Sequence, residues 1–146
     1  MQQRMNWHRA SPDATEAMMA LEIAVSRLGL EPGLLGLLKL RVSQVNGCGY
    51  CIEQFGRDAR ARGEPEARLQ ALVTWRGSEL YSARERAALA WAEALTRLAD
   101  TGAPDEDYLA LAAHFDEKAR VDLTLAIASI NAWNRFGVGF RVALPD

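Results

Sequence analysis

The chain has 146 residues, of which 49% are apolar and 25% charged, with a formal net charge of −2. That is the make-up of an ordinary globular protein, long enough to bury a core, and it lacks the basic excess that nucleic-acid binding needs. No uninterrupted apolar run approaches the ~20 residues of a membrane span, and Met1 to Asn6 is polar with no apolar segment behind it to read as a signal peptide. The expectation is a cytoplasmic protein that engages neither membrane nor nucleic acid. Only Lys39 and Lys118 of the 17 basic residues are lysines, an arginine bias that reflects coding composition more simply than chemistry.

Helical periodicity dominates from the start, and no clear alternation of the strand type interrupts it. Ser11 is an N-cap candidate with Pro12 in the first turn, and Met18, Leu21, Val25 and Leu28 form an apolar face that Gly29 closes. Pro32 opens a second helix through Leu34, Leu35, Leu38, Leu40, Val42 and Val45, apolar on nearly every side. A third carries Cys51, Ile52, Phe55 and Ala59 to Gly63. A fourth runs from Pro65 through Leu69, Leu72 and Val73 to Trp75.

Ser82-Ala83-Arg84-Glu85 is a capping box ahead of Leu89, Trp91, Ala92 and Leu95. Pro104 and three acidic residues start a short helix with Tyr108, Leu111 and Phe115, and Asp116 caps the last long one, with Val121, Leu123, Leu125, Ile127 and Ile130. Phe136 to Pro145 reads as an apolar tail docked on the body. The pattern predicts an all-α, single-domain bundle over residues 1–146, with about seven helices joined by short loops.

The only two cysteines lie in Asn46-Gly47-Cys48-Gly49-Tyr50-Cys51. Positions i and i+3 share a helix face, so the sulfurs can form a disulfide or stand as a dithiol. Asn46-Gly47 is a turn signal and the pair opens the next helix, where unpaired amides and the macrodipole favour a thiolate. Structural disulfides are rare in the cytosol, so redox chemistry is the leading reading. The alternatives are a buried apolar pair, or a metal site, for which His8 and His114 lie far off in sequence.

Three blocks, taken together, resemble the carboxymuconolactone decarboxylase-like superfamily, and within it the alkylhydroperoxidase D-like branch. They are Lys39 to Cys51, Trp91 to Thr96, and Ile130 to Arg135. The resemblance spans about Arg4 to Arg141. It implies an all-helical fold that assembles as a homotrimer or homohexamer. It further implies reduction of small hydroperoxides, with Cys51 attacking the peroxide, Cys48 resolving the sulfenic acid, and an external dithiol, protein or lipoyl, reducing the disulfide. No metal or organic cofactor is required. Two relay positions of that branch are changed. The glutamate twelve residues before the first cysteine is Gly36, and the histidine four residues after the second is Phe55. Weak peroxidase activity, a substitute relay or a different task is then expected.

Other groups near the cysteines read more plainly. Glu53, two residues past Cys51, should point elsewhere and be a solvated carboxylate. Tyr50 can line a pocket or bond a neighbour, and His114 reads as a surface or C-cap histidine. Glu93 needs a basic partner, with Arg41, Arg76 and Arg135 as candidates, and Trp75, Trp91 and Trp133 read as core or interface. The apolar second helix and the tail suggest the subunit contact. A decarboxylase-type lyase, and a redox sensor or structural oligomer of the same fold, are the competing functions.

Overall fold

The computed structural model describes residues 2–145. Among them the chain forms nine α-helices and one 3₁₀ segment, with no strand: α1 (Trp7–Ala10), α2 (Pro12–Ser26), α3 (Pro32–Asn46), α4 (Gly49–Ala61), α5 (Glu66–Ala71), the 3₁₀ turn Leu72–Gly77, α6 (Ala83–Thr96), α7 (Leu98–Thr101), α8 (Asp105–His114) and α9 (Glu117–Gly139). The longer helices are the ones that periodicity predicts. The two additions, α1 and α7, are four-residue turns too short to show a period.

The predicted caps form. Ser11 Oγ accepts from the Ala14 amide, Asp116 Oδ1 accepts from the Ala119 amide, and Ser82 and Glu85 close both halves of the capping box. The fourth predicted helix departs from expectation: α5 ends at Ala71 and the chain tightens, with Thr74 at φ −123°, ψ 36°. The cause is tertiary. Trp75 turns inward, 2% exposed, its indole N–H donates to Glu93, and the guanidiniums of Arg76 and Arg86 lie over its ring.

At the centre lies α3, packed against α4, α6 and α9. Leu34, Leu37, Leu38, Leu40 and Val42 are all buried within the chain, each worth about 2 kcal/mol of apolar transfer. This corrects the reading of α3 as a subunit contact: its apolar circumference is spent on its own neighbours. The exposed apolar side chains lie elsewhere, at Val73, Leu98, Leu109 and Val121. Leu89 and Leu123 complete the core from α6 and α9.

The segment Phe136–Gly139, expected in the tail, is the last turn of α9. The chain beyond it lies against the amino-terminal arm and α4. Arg4 donates to the carbonyls of Phe140 and Gly139, and Arg57 donates to that of Pro145. No helix among the described residues is long and apolar enough to cross a membrane.

Candidate functional site

The cysteine turn is built by a helix that stops and another that starts at once. Helix α3 ends with Gly47 at φ +67°, a left-handed position that glycine adopts without strain. The Cys48 amide then reaches back to the Ser43 carbonyl (3.0 Å) and the Gly47 amide to Gln44 (3.2 Å), a Schellman ending. Cys48 is itself the N-cap of α4, its Sγ accepting from the Cys51 amide at 3.3 Å. Cys51 sits in the first helical turn, and the two sulfurs are bonded, with Cα atoms 5.2 Å apart.

Side-chain amides, that of Asn134 fully buried, hold this turn against α9. Asn46 Nδ2 donates to Asn131 Oδ1 and Asn134 Oδ1, both at 2.9 Å, and Asn134 Nδ2 donates to Ser43 Oγ at 3.0 Å. Asn131 Nδ2 also donates to Thr96 Oγ1 on α6. The three sequence blocks thus meet in one network. Over the disulfide, α9 places Gly137, where a Cβ would stand 2.5 Å from Cys48 Sγ.

Both cysteines are nearly inaccessible on the outer surface, at 1% and 4% exposure for Cys48 and Cys51. They differ in what they face. A cavity of about 220 Å³ reaches Cys51 and is not lined by Cys48. Its walls are mostly aromatic: Trp7, Tyr50, Phe55, Trp133 and Phe136, with Val142 from the tail. Phe55 stands one turn after Cys51, with the Lys39 ammonium 5.5 Å from its ring centre. Trp133 therefore lines the cavity, where the sequence reads only core or interface. His8, on the stacked Trp7 ring, and Glu22 also reach the wall. Neither gives a signal in the sequence, because α1 and α2 are brought over the cysteines only by the fold.

The remaining candidates fall where expected or nearly so. Glu53 is exposed and pairs with Arg57 at 3.6 Å. His114 is exposed at the end of α8, its carbonyl accepting from Arg84. Glu93 takes Arg41 (2.7 Å), Arg76 (3.1 Å) and the Trp75 indole (2.9 Å), while Arg135 bonds Asn131 instead. Burial pushes the Glu93 carboxyl up, and the bonds from Trp75, Arg41 and Arg76 outweigh it and hold it below the ordinary carboxylate range. Gly36 lies well up α3, where the side-chain end of Arg62 covers it. Among the described residues no three His, Cys, Asp or Glu side chains gather as a metal site.

A helical bundle with a bonded CxxC pair at a helix start, one sulfur open to a cavity, defines the class by its architecture: the alkylhydroperoxidase D-like fold. The comparisons then fix the family. The carboxymuconolactone decarboxylase family matches residues 12–94, and the chain belongs to it. It is 38% identical to the uncharacterized protein YdfG of Bacillus subtilis over 94% of each chain. A protein of unknown function from Agrobacterium tumefaciens superposes with TM-score 0.97 at 43% identity, over 99% of both chains. An alkylhydroperoxidase AhpD core from Ralstonia eutropha, an uncharacterized peroxidase-related protein, shares the fold at TM-score 0.82 and 22% identity, over 95% of this chain and 74% of that one.

Proposed function

We propose that this protein reduces organic hydroperoxides with its two cysteines, Cys51 as the attacking thiol and Cys48 as the resolving thiol. The observation that carries the reading is the asymmetry of the site: Cys51 lines the aromatic cavity and Cys48 does not. A peroxide entering there meets Cys51 first. The sulfenic acid so formed lies within reach of Cys48, three residues away, whose thiol attacks the Cys51 sulfur, releases water and leaves the disulfide.

The way back uses the same asymmetry. An external dithiol, protein or lipoyl, attacks the reachable Cys51 sulfur and Cys48 departs. The Cys51 amide donating to Cys48 Sγ at the helix start favours charge on that leaving sulfur. No metal or organic cofactor enters this cycle. The family resemblance adds a homotrimer or homohexamer, and the exposed Leu109 and Val121 side chains are suited to such a contact.

The test is a single turnover of the reduced protein with one equivalent of cumene hydroperoxide, followed by thiol titration and mass analysis. The wild type is expected to consume the peroxide and form the Cys48–Cys51 disulfide. Cys51→Ser should abolish consumption, and Cys48→Ser should consume peroxide and leave a dimedone-trappable sulfenic acid on Cys51. An inert wild type, or a Cys51→Ser variant that still reacts, overturns the assignment. Disulfide formation without turnover when a dithiol is added would make the protein a sensor rather than a peroxidase.

A further inference from the structure

The helix-start amide donates to Cys48 Sγ rather than to Cys51, and an amide takes up no proton in any case, so the Cys51 thiol must give its proton to a base and the departing oxygen of a peroxide must gain one. The usual histidine position is Phe55, which can do neither. One carboxylate shares the cavity with Cys51: Glu22, from the middle of α2. It is held from two sides. Lys39 Nζ donates to Oε1 at 2.8 Å, and the Trp133 indole N–H donates to Oε2 at 3.1 Å. Lys39 also stands over the Phe55 ring, so this ion pair lies against the very side chain that fills the empty relay position. Each carboxylate oxygen has one of these donors and keeps acceptor capacity for the cavity.

We infer that Glu22 is the proton-transfer residue of this site, supplied from α2 in place of a relay on α4. The inference rests on the hydroperoxide reading above. The Cys51 S–H bond breaks and Glu22 takes the proton. The sulfur attacks the terminal peroxide oxygen, an S–O bond forms and the O–O bond breaks. Glu22 returns the proton to the alkoxide, so that Cys51–SH and ROOH become Cys51–SOH and ROH. The sulfur is oxidised by two electrons and the peroxide reduced by two. Lys39 and Trp133 are positioning residues: they fix the carboxylate against the aromatic wall.

Two other cavity residues could carry a proton. Tyr50 presents a phenolic hydroxyl, whose oxygen is a weaker proton acceptor than a carboxylate. His8 is exposed at the rim, on Trp7. The discriminating measurement is the dependence on leaving group. A peroxy acid expels a carboxylate and needs no proton, whereas an alkyl hydroperoxide expels an alkoxide and does.

Single-turnover rates of Cys51 oxidation are measured with peracetic acid and with tert-butyl hydroperoxide. In Glu22→Gln, which keeps the shape and an acceptor for its donors, the alkyl hydroperoxide rate should fall by at least about tenfold, within the usual span of positioned acid–base catalysis. The peracetic acid rate should fall much less. His8→Asn should leave the ratio of the two rates unchanged. An equal loss with both oxidants denies Glu22 the return of the proton to the leaving alkoxide and overturns the inference, as does a leaving-group effect that appears in His8→Asn and not in Glu22→Gln. A wild type inert to both oxidants would sink the hydroperoxide reading itself, a separate outcome read before any variant is compared.

Discussion

At Gly137 a single methyl group would stand 2.5 Å from Cys48 Sγ and 3.3 Å from Cys51 Sγ, with no flexible side chain to move aside. The backbone of α9 therefore approaches the sulfurs as closely as it does only because this residue has no side chain. Gly137→Ala is expected to cost about 1–3 kcal/mol by overpacking and to push α9 off the disulfide. Denaturant unfolding of the oxidised protein checks the stability, and the midpoint of titration against a dithiol redox buffer checks the pair. Unchanged values for both would mean that the helix shifts freely. Glycine in a long helix says nothing of this in the sequence, where it reads only as a weak helix former. The cysteines themselves were legible, down to their place at a helix start, because Asn-Gly and a three-residue spacing are local signals. The cavity residues Trp7, Glu22 and Trp133 were not, since their meeting depends on how α1, α2 and α9 pack.

The hairpin of α3 and α4 carries the site, and its pairing explains the two altered positions. The Arg62 side chain covers Gly36 near one end of the pair, and the side chains of Lys39 and Phe55 meet nearer the cysteines, so the helices run antiparallel. A carboxylate at position 36 would stand beside the Arg62 guanidinium, a flexible group that can shift and pair with it. It would reach the sulfurs only by way of position 55. Gly36→Glu with Phe55→His is therefore expected to fold and to raise cumene hydroperoxide turnover well above the parent, by about tenfold or more. Circular dichroism checks the fold and a steady-state dithiol-coupled assay the rate. A folded double variant with the parent rate would show that these positions do not limit the chemistry. Most helices and their caps were readable from period and capping residues. The 3₁₀ turn after α5 was not, because Trp75 leaves the helical path to reach Glu93 on α6, a partner 18 residues away.

On the scale of the whole molecule, carboxylates join elements that the apolar core alone does not lock. Glu93 on α6 ties α3 to the 3₁₀ turn through Arg41, Arg76 and Trp75, and Glu85 at the start of α6 takes Arg68 from α5. Burial raises both carboxyls and their partners outweigh it, so each lies below the ordinary glutamate value of 4.5. A depressed carboxyl contributes stability that is full above the unfolded value and is lost as pH falls through the folded one. The urea midpoint should therefore hold at neutral pH and drop as pH falls from about 5 towards 3. Glu93→Ala should lower stability by about 3 kcal/mol at pH 7, because it strands Arg41 and the Trp75 N–H, and should flatten the acid limb. A variant whose acid limb matches the wild type would remove Glu93 from this account. The two ends of the described chain also share a place: Gln3 and Arg4 bond Ala143 and Phe140 in the segment after α9, Val142 lines the cavity, and Leu144 lies beside Gly49 at the head of the cysteine helix, 3.4 Å from where a Cβ there would stand. A bulky label placed on Val142 or Leu144 would thus stand beside the doorway of the thiol chamber, and rates measured with and without it will report on the doorway as much as on the sulfurs.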